Sequence, residues 1–171
     1  METFSDLGIA PVFESALALD EITEPTPIQA KAIPELLTGS NAYISSETGT
    51  GKTLAYLLPL LSRVDPGPRT LQAIVMVPTH ELAMQIGEVS RDLAQKSNLE
   101  IRSQVLIGGV SIKRQVEKLK NKPHVVIGTP GRISELIDLR KLKPHTVQSI
   151  IIDEVDRLLF GDSLDAIKKI I

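Results

Sequence analysis

Ser46-Glu47-Thr48-Gly49-Thr50-Gly51-Lys52-Thr53 lies between a short run with strand character, Ala42 to Ser45, and a stretch carrying Leu54, Leu57, Leu58 and Leu61. Those leucines recur at helical spacing, so the octapeptide reads as the loop between a strand and a helix. In that setting its glycines let backbone N–H groups curl around phosphate oxygens, and the helix start favours their negative charge. Lys52 then reaches the β/γ-phosphates and Thr53 ligates Mg²⁺. Ser46 stands where the strict pattern G-x-x-x-x-G-K-[ST] has glycine. A bare Gly-Lys-Thr serves equally well as a glycine-rich turn capping a helix; the strand before and the apolar helix after supply the context of a phosphate loop.

The same alternation continues along the chain. Apolar runs at Ala73 to Val77, Val105 to Ile107, Val125 to Ile127 and Ile150 to Ile152 are separated by helical-period stretches. The latter are Leu82, Ile86, Val89, Leu93; then Ile112, Val116, Leu119; then Ile133, Leu136, Ile137. Near-continuous apolar strands with helical crossovers predict an α/β fold, a parallel sheet covered by helices on both faces. A turn at Asp65-Pro66-Gly67-Pro68 is the one break in the rhythm. Each run is followed by small, polar or charged residues: Ser46 to Thr53, Pro78 to Ala83, Gly108-Gly109, Thr129 to Arg132, and Asp153 to Asp156. In a parallel sheet these segments gather on one edge, the edge where open α/β sheets bind ligands.

Composition narrows the classes. The 171 residues, 42% apolar and 23% charged, suit one soluble domain. No cysteine is present, which excludes a disulfide framework and a thiolate metal site. Aromatics at 3% leave few rings for stacking on bases, so a nucleic-acid contact must lean on backbone amides and cations. The net charge of −2 hides an asymmetry. Residues 1–50 hold eight acids and one base, whereas residues 113–143 hold nine bases (Lys113, Arg114, Lys118, Lys120, Lys122, Arg132, Arg140, Lys141, Lys143) against Glu117, Glu135 and Asp138. On charge alone that basic stretch is a solvated helix face or a surface for a polyanion. No apolar run reaches the roughly 18 residues needed to span a bilayer and the N-terminus has no signal core, so a cytoplasmic protein with no membrane partner is expected.

Gln148-Ser149-Ile150-Ile151-Ile152-Asp153-Glu154-Val155-Asp156 is an apolar strand ending in carboxylates. Alone it describes a turn with solvated acids. Paired with the Lys52 loop it supplies a Mg²⁺ partner, Asp153, and a general base for an attacking water, Glu154.

Taken in order, these motifs resemble the first RecA-like domain of a DEAD-box RNA helicase, over Phe4 to Asp156. Pro25-Thr26-Pro27-Ile28-Gln29 is similar to the family's Q motif, which reads adenine, and Phe4 is placed like its upstream aromatic, which stacks on the base. Thr48, Gly49, Thr50, Gly51, Lys52 and Thr53 correspond to motif I, and Asp153-Glu154-Val155-Asp156 to motif II. Pro78, Thr79, His80, Gly108, Gly109, Thr129 and Arg132 fall in segments that hold the RNA backbone. The resemblance implies ATP and Mg²⁺ as cofactors, RNA bound without regard to sequence, and ATP-dependent RNA unwinding or remodelling by the intact protein. Thr79 and Thr129 also suit helix N-caps, Thr129 with Pro130 at the first helical position.

Departures accompany the likeness. Glu21-Ile22 replaces the family's Gly-aromatic pair, His80 replaces an arginine and so removes a fixed charge, and Val155 adds two methyl groups to a position expected to be tightly packed. The Ser-Ala-Thr element and the second RecA-like domain with its arginine fingers are missing, and Ile171 falls within a helical pattern (Leu164, Ile167, Ile170). The expectation is therefore an incomplete N-terminal domain over 1–171, monomeric, a partner of that second domain, binding nucleotide weakly and unable to unwind alone. Rival readings are another P-loop NTPase or a non-catalytic nucleotide-sensing module. A GTPase would need Asn-Lys-x-Asp, which Asn121-Lys122-Pro123-His124 only approaches. A small kinase would transfer its phosphate to an acceptor.

Overall fold

The computed structural model describes residues 2–47 and 49–171. The chain divides into two compact units, one of residues up to 65 with 92–100, the other of 66–91 with 101–171. Their boundary in sequence falls at the Asp65-Pro66-Gly67-Pro68 turn, where bends follow the helix ending at Arg63.

The first unit holds α1 (Pro11–Ala18), α2 (Pro27–Leu37) and α3 (Lys52–Arg63), with α2 packed on α3. Proline opens α1 and α2, where its missing N–H is no loss. Every residue of α3 from Ala55 to Leu61 is buried, the pattern of an interior helix. The strand expected at Ala42 to Ser45 does not form. Residues 41–47 have no regular structure and Tyr43 is 80% exposed. A strand needs a ladder partner for its N–H and C=O groups, and the first unit contains no strand among the described residues.

The second unit is built on β1 (Ala73–Met76), β2 (Ser103–Leu106), β3 (Val125–Gly128) and β4 (Ser149–Ile152). These alternate with α4 (His80–Lys96), α5 (Ile112–Leu119) and α6 (Pro130–Asp138), followed by α7 (Val155–Leu158) and α8 (Gly161–Ile170). All pairings are parallel, in the order β2-β3-β1-β4. The register is flush: Ser103, Val125, Ala73 and Ser149 form the first row, and Leu106, Gly128, Met76 and Ile152 the last. The step from β1 to β2 crosses the sheet one way, and the steps to β3 and β4 return. Right-handed crossovers then put α4 on one face and α5 and α6 on the other. Ile74, Met76 and Val126 form a cluster with Ile133 and Leu136 of α6 and Ile167 and Ile170 of α8. On the opposite face α4 approaches so closely that a Cβ on Gly87 would lie 2.3 Å from Val105 Cγ2. Burial of each large aliphatic here stabilises the sheet by about 1.5–3 kcal/mol.

Candidate functional site

The phosphate loop belongs to the first unit. Gly51 caps α3 in the left-handed region, φ 91°, which glycine enters without strain. Here the Lys52 ammonium folds back onto the loop, donating to the carbonyls of Ser46 and of Glu47, the latter at 3.3 Å. Ser46, the residue in the glycine position, finds a partner for its hydroxyl: Ser46 Oγ and Thr50 Oγ1 lie 2.8 Å apart. Because Thr50 gives its one hydroxyl proton to Glu47 O at 2.8 Å, Ser46 is the donor. The Thr53 hydroxyl makes no hydrogen bond among the described residues. Thr48 lies outside the described residues.

The expected adenine reader is occupied differently. Gln29, 2% exposed, accepts from Thr26 N at 2.9 Å through Oε1 and donates to Gly51 O at 3.0 Å through Nε2. Thr26 Oγ1 donates to Thr50 O at 2.8 Å. The start of α2 is thus latched onto the phosphate loop at two successive carbonyls. Contact is so close that a Cβ on Gly51 would stand 2.5 Å from Gln29 Nε2. One lone pair and one N–H of the amide remain for a ligand. Phe4 departs from its expected role. It is fully buried, in the same unit's interior as Ile9, Phe13 and Leu17, and so offers no open face to a base. Burying a ring is worth more than leaving one face waiting for a partner.

In the second unit the last row of the sheet gathers the remaining segments. The ladder continues one step past β1, β3 and β4: Val77 N donates to Gly128 O at 3.0 Å, Thr129 N to Leu106 O at 3.1 Å, and Asp153 N to Met76 O at 2.9 Å. Val77, next to Pro78, and Thr129 and Asp153 are therefore set at the C-terminal edge by backbone hydrogen bonds. Thr79 caps α4 as expected, its Oγ1 accepting from Leu82 N at 3.1 Å. Thr129 precedes Pro130 but makes no side-chain cap, which leaves its hydroxyl without a partner among the described residues. The exposed His80 ring lies over the glycine pair; a Cβ on Gly108 would be 3.2 Å from His80 Nε2 and one on Gly109 3.8 Å from Cε1. Arg132 ties two segments together, donating to Val110 O at 3.0 Å while its Nε stands 2.9 Å from Glu135 Oε2, an ion pair off the line of a hydrogen bond.

Asp153 Oδ1 accepts from Glu154 N at 2.9 Å. Glu154 adopts φ 49°, a conformation that costs a non-glycine residue of order 1 kcal/mol and concentrates at functional sites. Its Oε2 pairs with Arg157 at 2.7 Å. Val155, expected to be tightly packed, is only half-buried at the start of α7, so its methyl groups need no compensating space.

The sequence names Thr26 within the Q-motif stretch without giving it a role of its own, and leaves the supporting roles of Val110, Glu135 and Arg157 unmarked. Three carried a signal. Thr26 and Gln29 have the spacing of a capping box, and that box is present in α2. Arg132 and Glu135, like Glu154 and Arg157, have the i,i+3 spacing of a helical ion pair. Nothing local marks Val110, whose contribution is a backbone carbonyl. No group of three or more His, Asp or Glu among the described residues is placed to hold a metal. Mg²⁺ commonly takes one or two carboxylates and completes its shell with phosphates and waters, so the Asp153 carboxylate and the Thr53 hydroxyl suit it chemically.

Comparison with known proteins agrees with these motifs. The family model described as DEAD/DEAH box helicase matches residues 26–171. The DEAD-box ATP-dependent RNA helicase CshC of Bacillus cereus is 45% identical over 161 residues, 94% of this chain and 41% of the relative. A crystal structure of a DEAD box protein from the hyperthermophile Methanococcus jannaschii superposes with TM-score 0.90 at 32% identity, covering 98% of this chain and 46% of that one. S. cerevisiae Dbp5 bound to RNA and ADP BeF3 gives 0.87 at 29% identity, covering 99% and 43%. The chain thus spans about two fifths of the length of such relatives, and its fold is the RecA-like α/β fold that the motifs implied. By the family model and by these relatives, the chain belongs to the DEAD/DEAH box helicase family.

Proposed function

We propose that this chain is the ATP-binding, RNA-gripping part of an ATP-dependent RNA helicase that couples hydrolysis to unwinding or remodelling of RNA in the cytoplasm. The observation that supports this reading is the flush last row of the sheet, from which the segments after the strands, the Asp153-Glu154 carboxylates among them, leave side by side. No helix among the described residues is long and apolar enough to cross a membrane. Lys52 swings from the loop carbonyls to the β/γ-phosphates, which replace Ser46 O and Glu47 O as its acceptors. Thr53 in the first unit and Asp153 in the second each offer an oxygen of the kind Mg²⁺ takes, and the charge of that ion would offset the charge on the phosphates. Glu154 keeps Oε2 on Arg157 and takes the proton of the attacking water on Oε1. Thr79, Thr129, His80, Arg132 and the Gly108-Gly109 amides face RNA phosphates, contacts that position a strand without reading its bases.

The GTPase alternative loses its footing. Asn121-Lys122-Pro123-His124 leads into the first row of the sheet, and the fully buried His124 ring is bonded to Arg102 at 3.0 Å, away from the carboxylate edge. The deciding experiment is Glu154→Gln in the full-length protein. ATP binding should persist while hydrolysis falls by about 10²–10⁴; undiminished RNA-stimulated hydrolysis would refute the assignment. The 171-residue chain alone should bind nucleotide weakly and unwind nothing, since arginine fingers supply about 10³–10⁵ of turnover in related systems.

A further inference from the structure

The segments that lead into the strands carry the basic charge that the motif edge does not use. Because the sheet is parallel and flush, residues 66–72, 101–102, 120–124 and 140–148 all arrive at the row Ser103, Val125, Ala73, Ser149. They contain Arg69, Arg102, Lys120, Lys122, Arg140, Lys141 and Lys143 and not one acid. The segments are bound to one another. His124 N donates to Arg102 O at 2.8 Å, Gln72 N to His124 O at 2.8 Å, and Gln148 N to Gln72 O at 2.8 Å. Thr146 Oγ1 donates to Leu71 O at 2.7 Å. Four strands at about 4.8 Å spacing make this edge about 15 Å wide.

Five of the cations, Arg69, Lys122, Arg140, Lys141 and Lys143, are exposed and have no acidic partner among the described residues. Lys120 is spoken for by Glu117 at 2.7 Å, and the Arg102 guanidinium by His124. Favourable placement at helix C-termini accounts for Lys122 and Arg140, which follow α5 and α6. It does not account for Arg69 or Lys143. Both Lys122 (φ 50°) and Arg140 (φ 55°) also hold left-handed positions where glycine would be less strained. No large apolar side chain is exposed in these four segments, so the surface lacks the hydrophobic core of a protein interface or the apolar face of a membrane-seeking helix.

We propose that this N-terminal edge of the sheet is a second RNA-backbone contact, on the side of the second unit opposite the motif edge, engaged by strands long enough to pass around the unit. The inference rests on RNA as the partner of the motif edge. Binding here is electrostatic and indifferent to sequence, and adds affinity for long RNA by holding it at two places.

The test is the triple variant Lys122→Asn, Lys141→Gln, Lys143→Gln in the full-length protein, with asparagine chosen because it tolerates the left-handed backbone. Affinity for a short and a long single-stranded RNA is measured across salt concentrations, beside a charge-keeping triple arginine variant at the same positions. Long-RNA affinity should fall about tenfold or more, and its log–log salt slope should shrink by about 2, because three cations no longer neutralise phosphates of a single strand. Short-RNA affinity should stay as in the wild type, and the arginine variant should bind both strands like the wild type. Unchanged long-RNA affinity and slope would overturn the proposal, as would equal weakening on both lengths, or loss of binding to anionic phospholipid vesicles alone. A wild type that binds neither RNA would overturn the helicase reading along with it. A wild type that binds both, with no effect of the triple variant, overturns this edge only.

Discussion

The two units hold their functional residues by different means. In the second, the motif edge is fixed by main chain: Val77, Thr129 and Asp153 each donate a backbone N–H to the end of a neighbouring strand. In the first, the phosphate loop is fixed by side chains, with Lys52 on Ser46 and Glu47 carbonyls, Gln29 on Gly51 O and Thr26 on Thr50 O. A backbone ladder has one arrangement and breaks only with the sheet. Side-chain tethers exchange partners, which is what the proposed capture of phosphates by this loop would require.

The harshest way to break this contrast is at Gly128, the last residue of β3. A Cβ there would lie 2.0 Å from Leu106 O, a main-chain atom that cannot rotate aside. Gly128→Ala should cost about 3 kcal/mol or more, since relief requires separating β2 from β3. Urea unfolding would register it as a lower midpoint at unchanged slope. A variant of wild-type stability would mean that the edge is not held as rigidly as its ladder suggests.

A gentler change probes the tethers. Gln29→Ala removes two hydrogen bonds and leaves Gly51 O without that donor, which should cost about 1–2 kcal/mol and weaken nucleotide binding. Gln29→Glu separates the two functions of the amide, because a carboxylate still accepts from Thr26 N but repels the Gly51 carbonyl. Urea unfolding and nucleotide titration of both variants sharpen the comparison. If alanine and glutamate leave nucleotide affinity alike and unchanged, the latch is a helix cap and nothing more.

The same division explains what could be read without coordinates. The second unit was legible almost throughout. Runs such as Ala73 to Val77 and Val125 to Ile127 are apolar enough for a doubly covered strand, and the residues after each run mark the motif edge. Burial of both faces of β1 and β3 is what makes that pattern continuous. Ala42 to Ser45 carries a weaker version of the pattern, and no local property of Tyr43 or Ile44 reveals whether a ladder will be there to receive them. Phe4 misled for a related reason. An aromatic at the right distance from Gln29 marks a position in the chain, whereas its burial depends on Leu7, Ile9 and Phe13 folding around the same interior. Gln29 stands out in the sequence through its motif, but its partner Gly51 is 22 residues away, beyond the reach of any local pattern.

The smallest effect concerns the one motif-edge residue whose departure from the family removes a charge. His80 is exposed and its ring lies beside Gly108 and Gly109, within the proposed phosphate-contacting segment. A neutral imidazole brings one N–H, whereas arginine brings five donors and a permanent charge. His80→Arg should therefore strengthen RNA binding by a few-fold and steepen the log–log salt slope by about 0.7, the signature of one added phosphate contact on a single strand. Stability should stay within about 0.5 kcal/mol of wild type, because the side chain is at the surface and makes no hydrogen bond among the described residues. RNA titrations at several salt concentrations decide it. An affinity gain with no change in slope would mean that the added donors rather than the added charge are the cause, and no change in either would remove position 80 from the RNA path, leaving the motif edge to be held and read through its backbone alone.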